Sequence, residues 1–139
     1  MWITEFSEKC TASEARIWQV LTDVDNWKDW IGGIEYSIIQ GNFENGSLIS
    51  IKNIKAPQAT NTLIDVVENK SFTLQSKLPF CTMNGTHEIV RENDVIKVRL
   101  GIKMYGALSF IFSSIFGKKL TNSLPIATKK LVELAESQV

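Results

Sequence analysis

The feature that most constrains this chain is its hydrophobic period, which changes along its length. From Ile34 to Met104 apolar side chains recur at every second residue, and beyond Gly106 they recur at three- and four-residue steps. Successive side chains of a strand point to opposite faces, whereas those three or four apart on a helix share one face. The sequence therefore predicts a long run of strands closed by one long helix. The cleanest strand is 95–104, where Ile96, Val98, Leu100, Ile102 and Met104 alternate with Lys97, Arg99, Gly101 and Lys103. Upstream strands are expected from Ile34 and over 48–54, 58–68, 71–78 and 82–91, separated by Gly41 to Gly46, Ala56-Pro57, Asn69-Lys70, Pro79 and Glu92-Asn93-Asp94. Ile34, Tyr36 and Ile38 are expected to share a face, as are Ile64 and Val66, although the phase of 58–68 is left open.

The first residues behave differently. Trp2, Phe6 and Cys10 alternate with Glu5, Ser7 and Lys9, the pattern of a half-buried strand. Ser13 then offers a cap oxygen to a short helix carrying Ile17, Trp18, Leu21 and Val24. A second helical piece, 27–31, stops at Gly32-Gly33. In the closing helix, Leu108, Phe112, Ile115, Leu120, Leu124, Ala127, Leu131 and Leu134 form the stripe, and Pro125 should kink or divide it. The expected fold is α+β, a seven-stranded antiparallel sheet gripping a long C-terminal helix, in the order β-α-α-β6-α. A twisted sheet of that width is not covered by one helix about 10 Å across. The space left over is either filled by large side chains or kept as an apolar cavity for a ligand.

Composition narrows the function classes. The 139 residues suit one domain, 1–139, and 44% of them are hydrophobic. Fifteen basic side chains balance 15 acidic ones, which disfavours nucleic acid, since such binding neutralises many phosphates. The N-terminus lacks the pattern of a secretory signal, and the longest uncharged apolar run, 104–116, falls short of the about 20 residues that span a bilayer. Cys10, Cys81 and the single His87 match no metal spacing, so no metal and no cofactor is expected, and the cysteines read as reduced, in a cytoplasmic protein.

The residues so far resemble the START-like helix-grip (SRPBCC) superfamily, in particular its polyketide cyclase/dehydrase and lipid-transport branch. The likeness rests on Ala15, Trp18, Leu21, Thr22 and Asp23, then Trp27 and Trp30, then Phe72 with Gly85 to Ile89, and the terminal Leu120, Leu124, Leu131 and Leu134. Asp29 stands where many relatives have a proline, and the apolar run 107–112 and Pro125 are further departures. The resemblance implies a cavity between sheet and helix that takes a lipid, fatty acyl chain, isoprenoid or polyketide-like molecule. It equally accommodates a cyclase or dehydratase, or a regulatory domain whose cavity is vestigial.

His87 is the candidate catalytic residue, as the one side chain that titrates near neutrality without special tuning. The plainer alternative is a buried histidine bonded to a backbone carbonyl. Trp27, Trp30 and Tyr36 are candidates for an aromatic lip, or else plugs between helix and sheet. Phe72, Met83, Ile102, Met104, Leu108 and Phe112 complete the expected ligand wall, with Phe80 and Phe110 beside them. Arg99 is expected to be solvated or ion-paired, and Asn61 and Asn84 are polar strand residues of open orientation. The apolar front of the last helix, followed by Lys118-Lys119, is expected to pack on the sheet; a membrane contact stands as the weaker alternative.

Overall fold

The computed structural model describes residues 1–137. Its elements are β1 (Trp2–Cys10), α1 (Glu14–Thr22), a 3-10 helix α2 (Val24–Asp29), β2 (Ile34–Ile39), β3 (Leu48–Asn53), β4 (Ala59–Val67), β5 (Ser71–Leu78), β6 (Cys81–Glu92), β7 (Val95–Tyr105) and α3 (Ser109–Glu136). The seven strands form one antiparallel sheet in the order β1-β7-β6-β5-β4-β3-β2. Strands β2 to β7 are a meander, and β1 pairs with β7 in unbroken register from Trp2 opposite Met104 to Cys10 opposite Ile96. This is the expected helix-grip architecture.

Local chemistry sets the element ends. Ser13 accepts a hydrogen bond from the Arg16 amide at 3.1 Å and so caps α1. The helical segment runs over Val24–Asp29 with Trp30 as its C-cap, earlier than the expected 27–31, and Gly33, at φ 84, leads into β2 in a conformation that glycine adopts without strain. Two strands depart from simple alternation. A bulge between Ile34 and Tyr36 turns Ile34 and Ser37 toward the core and leaves Tyr36 and Ile38 outside. A second irregularity between Ile64 and Val67, where Asp65 takes φ 53, follows a stretch in which Asn61 and Leu63 are the buried pair. The expected face-sharing of Tyr36 with Ile34 therefore fails, because one extra residue shifts the phase.

The closing helix is continuous from Ser109 to Glu136 with Pro125 inside it, so of the two expected outcomes, a kink or a division, the division does not occur. The carbonyl that loses its partner belongs to Thr121, which is exposed and can be hydrated. Helix α3 rests on β1 and β7 and only touches β6 at its margin. Gly117 makes this approach close, since a Cβ there would lie 3.0 Å from the Trp2 ring. The guanidinium of Arg16 donates to the carbonyls of Leu134 and Ala135, tying α1 to the last turn of α3. The helix thus grips one side of the sheet and leaves the β4–β6 side to other elements.

Candidate functional site

Cross-strand partners share a face, so the register defines rows of side chains beneath the helices. One row runs Phe72, His87, Leu100 and Phe6. The next runs Leu74, Gly85, Ile102 and Thr4, and a third runs Ser76, Met83, Met104 and Trp2. In the first row Phe72 and Leu100 are buried, whereas every member of the second is only half-buried. The helix-facing side of the sheet is therefore sealed at one end and partly open toward the β5–β6 turn. Gly85 deepens that floor, since it places no side chain between Leu74 and Ile102. A Cβ there would meet His87 Cε1 at 3.6 Å and the Leu74 carbonyl at 3.8 Å, ordinary contact distances.

The sealed end is an aromatic stack. Phe72 lies parallel to His87 with ring centroids 4.2 Å apart, and parallel to Trp27 at 6.4 Å. Phe43 meets Phe72 edge-on at 4.9 Å, and Trp18 does so at 6.0 Å. Trp27 is anchored by its indole N–H, which donates to the Leu21 carbonyl at 2.9 Å, and Trp30 packs edge-on beside it. Both tryptophans are buried, so they act as plugs under α2 rather than as a lip. Tyr36 stands on the outer face, where its hydroxyl bonds Gln58, against the expectation that it borders the cavity. Leu108 and Phe112 are half-buried at the start of α3, and Met104 is fully buried.

His87 sits where the sealed and open regions meet. Its Nδ1 is buried and has no hydrogen-bond partner among the described residues, so the plain reading of a histidine satisfied by a backbone carbonyl does not hold for that atom. Burial pushes its pKa down to about 4 and outweighs the opposing effect of the nearby Phe72 and Gly85 backbone. The ring is therefore neutral near pH 7 and presents either a donor or an acceptor at Nδ1. As a proton carrier at that pH it is a poor base, while as a hydrogen-bond partner in an apolar site it is well suited.

Other polar groups share this face. Asn61 is buried, donates to the Ile49 carbonyl at 3.4 Å and accepts from the Ser76 hydroxyl. Sequence left its orientation open; the strand register settles it, with Asn61 and Leu63 on the buried face ahead of the irregularity. Asn84 faces outward and accepts from Gln75, and Arg99 makes a two-pronged ion pair with Glu88 that raises its pKa. Phe43 was missed because it lies in a turn; an aromatic set among Gly41, Asn42, Asn45 and Gly46 was the available signal.

Two surface clefts lie elsewhere. One of about 160 Å³ is bordered by Arg16, Asp23, Asn26, Asp29 and Trp30, whose buried indole nitrogen has no partner among the described residues. The other, about 390 Å³, adjoins the β5–β6 turn and is lined by Lys77, Phe80, Cys81, Tyr105 and Ala107. Among the described residues no cluster of three or more His, Cys, Asp or Glu could hold a metal ion. No helix among the described residues is long and apolar enough to cross a membrane.

No protein-family model matches the chain, and no curated protein matches it in sequence. Solved structures do match in shape. A truncated norcoclaurine synthase from Thalictrum flavum superposes with a TM-score of 0.74 at 14% identity, covering 99% of this chain and 95% of that one. Ara h 8.0201 gives 0.68 at 10% identity, with 99% of both chains covered. The di-domain aromatase/cyclase BexL from the BE-7585A biosynthetic pathway gives 0.74 at 7% identity, over 99% of this chain and 51% of that one. At these identities the likeness is one of fold, the Bet v1-like, START-like helix grip.

Proposed function

We propose that this helix-grip chain binds a hydrophobic or amphipathic small molecule on the helix-facing side of its sheet, between β4–β6 and the front of α3. The observation that carries the reading is the half-buried apolar floor of Leu74, Met83 and Ile102 next to the unpartnered Nδ1 of His87. A floor of this kind forfeits packing unless something fills it, and a buried nitrogen without a partner costs free energy until one arrives. The expected ligand is an apolar body, such as an acyl chain, isoprenoid or polyketide-like ring, carrying at least one hydroxyl or carbonyl for His87; Ser76 and Asn61 lie two rows farther toward the β5–β6 turn. Free Cys10 and Cys81, both buried, fit a protein of a reducing cytoplasm.

The test is native mass spectrometry of gently purified protein with organic extraction, followed by titration with a fluorescent fatty acid. A bound apolar mass, and affinity that drops about tenfold or more in Gly85→Leu and Phe112→Ala, is the expected result. A Cβ at position 85 makes only ordinary contacts, so the larger side chain of Gly85→Leu is aimed at filling the floor, and affinity unchanged in that variant would remove the site. A cyclase or dehydratase reading draws on the same free Nδ1. It requires turnover of a polyketide-like substrate that falls ~100-fold in His87→Gln, and turnover equal to wild type would exclude His87 from it.

A further inference from the structure

The front half of α3 does not pack as its sequence suggests. Between Ser109 and Leu120 the buried positions are Ser109 and Gly117, the small ones. Phe110 is 66% exposed and Ile115 64%, with Ile111 and Phe116 also exposed, so the expected packing of this segment on the sheet is overturned. The physical reason is the close approach to β1: the helix meets Trp2 through Gly117, so this small face is turned to the sheet and the large side chains outward. Phe80, 77% exposed, continues the same surface. The Leu108 amide donates to its carbonyl at 3.0 Å, which fixes the β5–β6 turn against the start of the helix.

The charge around this surface is of one sign. Lys118 and Lys119 follow the apolar run on α3, Lys77 flanks Phe80, and Lys103 lies over the Tyr105 ring with its Nζ 5.7 Å from the centroid. Among the described residues none of these four makes an ion pair. No acidic residue occurs from Val95 to Val132 or from Asn69 to His87, although the whole chain is balanced at 15 against 15. The acids have been placed elsewhere in the fold.

We propose that this end of the molecule docks on an anionic lipid surface, with Phe80, Phe110, Ile111, Ile115 and Phe116 entering the interface and the lysines meeting the headgroups. An exposed apolar helix face beside a basic flank is what an interfacial helix requires. A second copy of this chain fits less well, since two such faces would bring their uncompensated lysines together. The inference rests on exposed residues alone and stands whether or not the interior binds a ligand.

The full-length chain is sedimented with vesicles of phosphatidylcholine alone and with vesicles that also contain phosphatidylglycerol. Binding to the mixed vesicles that weakens with salt is expected, with a loss of about tenfold or more in Phe110→Ser/Ile115→Ser and in Lys118→Glu/Lys119→Glu. Ile126→Ser, exposed farther along α3, should bind like wild type, and circular dichroism checks that each variant is folded. Absence of binding to mixed vesicles, or equal loss in Ile126→Ser, overturns the proposal. So does a concentration-dependent dimer in light scattering that Phe110→Ser/Ile115→Ser dissolves while vesicles bind nothing, which would assign the face to self-association.

Discussion

His87 carries the most specific consequences at the scale of single residues. Its pKa falls from 6.5 to about 4 in the folded chain through burial, so between those values the unfolded chain binds the proton more readily. The resulting stability is complete above pH 6.5, is lost as pH falls toward about 4, and amounts at most to the order of 3 kcal/mol. In urea denaturation across pH 7 to 4, wild type should therefore lose stability relative to His87→Gln on acidification; parallel curves would show that burial does not depress this imidazole. Gly106 offers a second check. It sits at φ 117, and a Cβ there would lie 2.7 Å from the Phe80 carbonyl. Gly106→Ala should lower stability by at least ~1 kcal/mol, and an unchanged melting temperature would contradict the tight junction of β7, the β5–β6 turn and α3. That His87 points inward was legible from alternation with Met83, Gly85 and Ile89. That Phe72 stacks on it was not, because strand pairing brings together residues that local periodicity does not relate.

Elements show where periodicity suffices and where it misleads. Strands β1, β6 and β7 follow simple alternation, and their faces agree with the expected ones. Strands β2 and β4 each contain an irregularity, and one added residue reverses every side chain beyond it. The displacement of Tyr36 to the outer face has this cause, whereas Asn61 precedes the irregularity of β4 and faces inward together with Leu63. Helix α3 is different again: its C-terminal half buries Leu124 and Leu131 as the stripe requires, while its front half buries Gly117 instead. Pro125 remains a cost that the helix bears, since its ring removes one hydrogen bond to the Thr121 carbonyl. Pro125→Ala should raise stability by about 1–3 kcal/mol, as seen in chemical denaturation. Equal or lower stability would mean that α3 depends on the local geometry that proline imposes.

For the whole molecule, the central joint is the stack of Trp27, Phe72 and His87, which connects the helical layer to the middle of the sheet. Phe72 is 1% exposed and touches rings from α1, α2, β6 and the β2–β3 turn. Phe72→Ala should cost about 3–5 kcal/mol, the range for losing a buried aromatic that its surroundings cannot replace. A loss below about 1 kcal/mol would mean that the cluster is loosely packed and that the layers are held by α3 alone. The same joint divides the helix-facing side into a sealed half and a half-buried one, so stability and ligand capacity reside in adjoining rows of one sheet.

The residue pattern by itself determined the elements, their order, the antiparallel meander and the gripping helix, because those follow from local period and turn chemistry. It also pointed to His87, Phe72, Met83 and Ile102 as neighbours in one layer. Only tertiary structure decided the rest: the phase beyond each bulge, the plug role of Trp27 and Trp30, the recruitment of Phe43, and the outward turn of the phenylalanines on α3. Each depends on how close two elements approach. A glycine against a tryptophan ring or one extra residue in a strand sets that distance, and neither leaves a periodic trace in the chain.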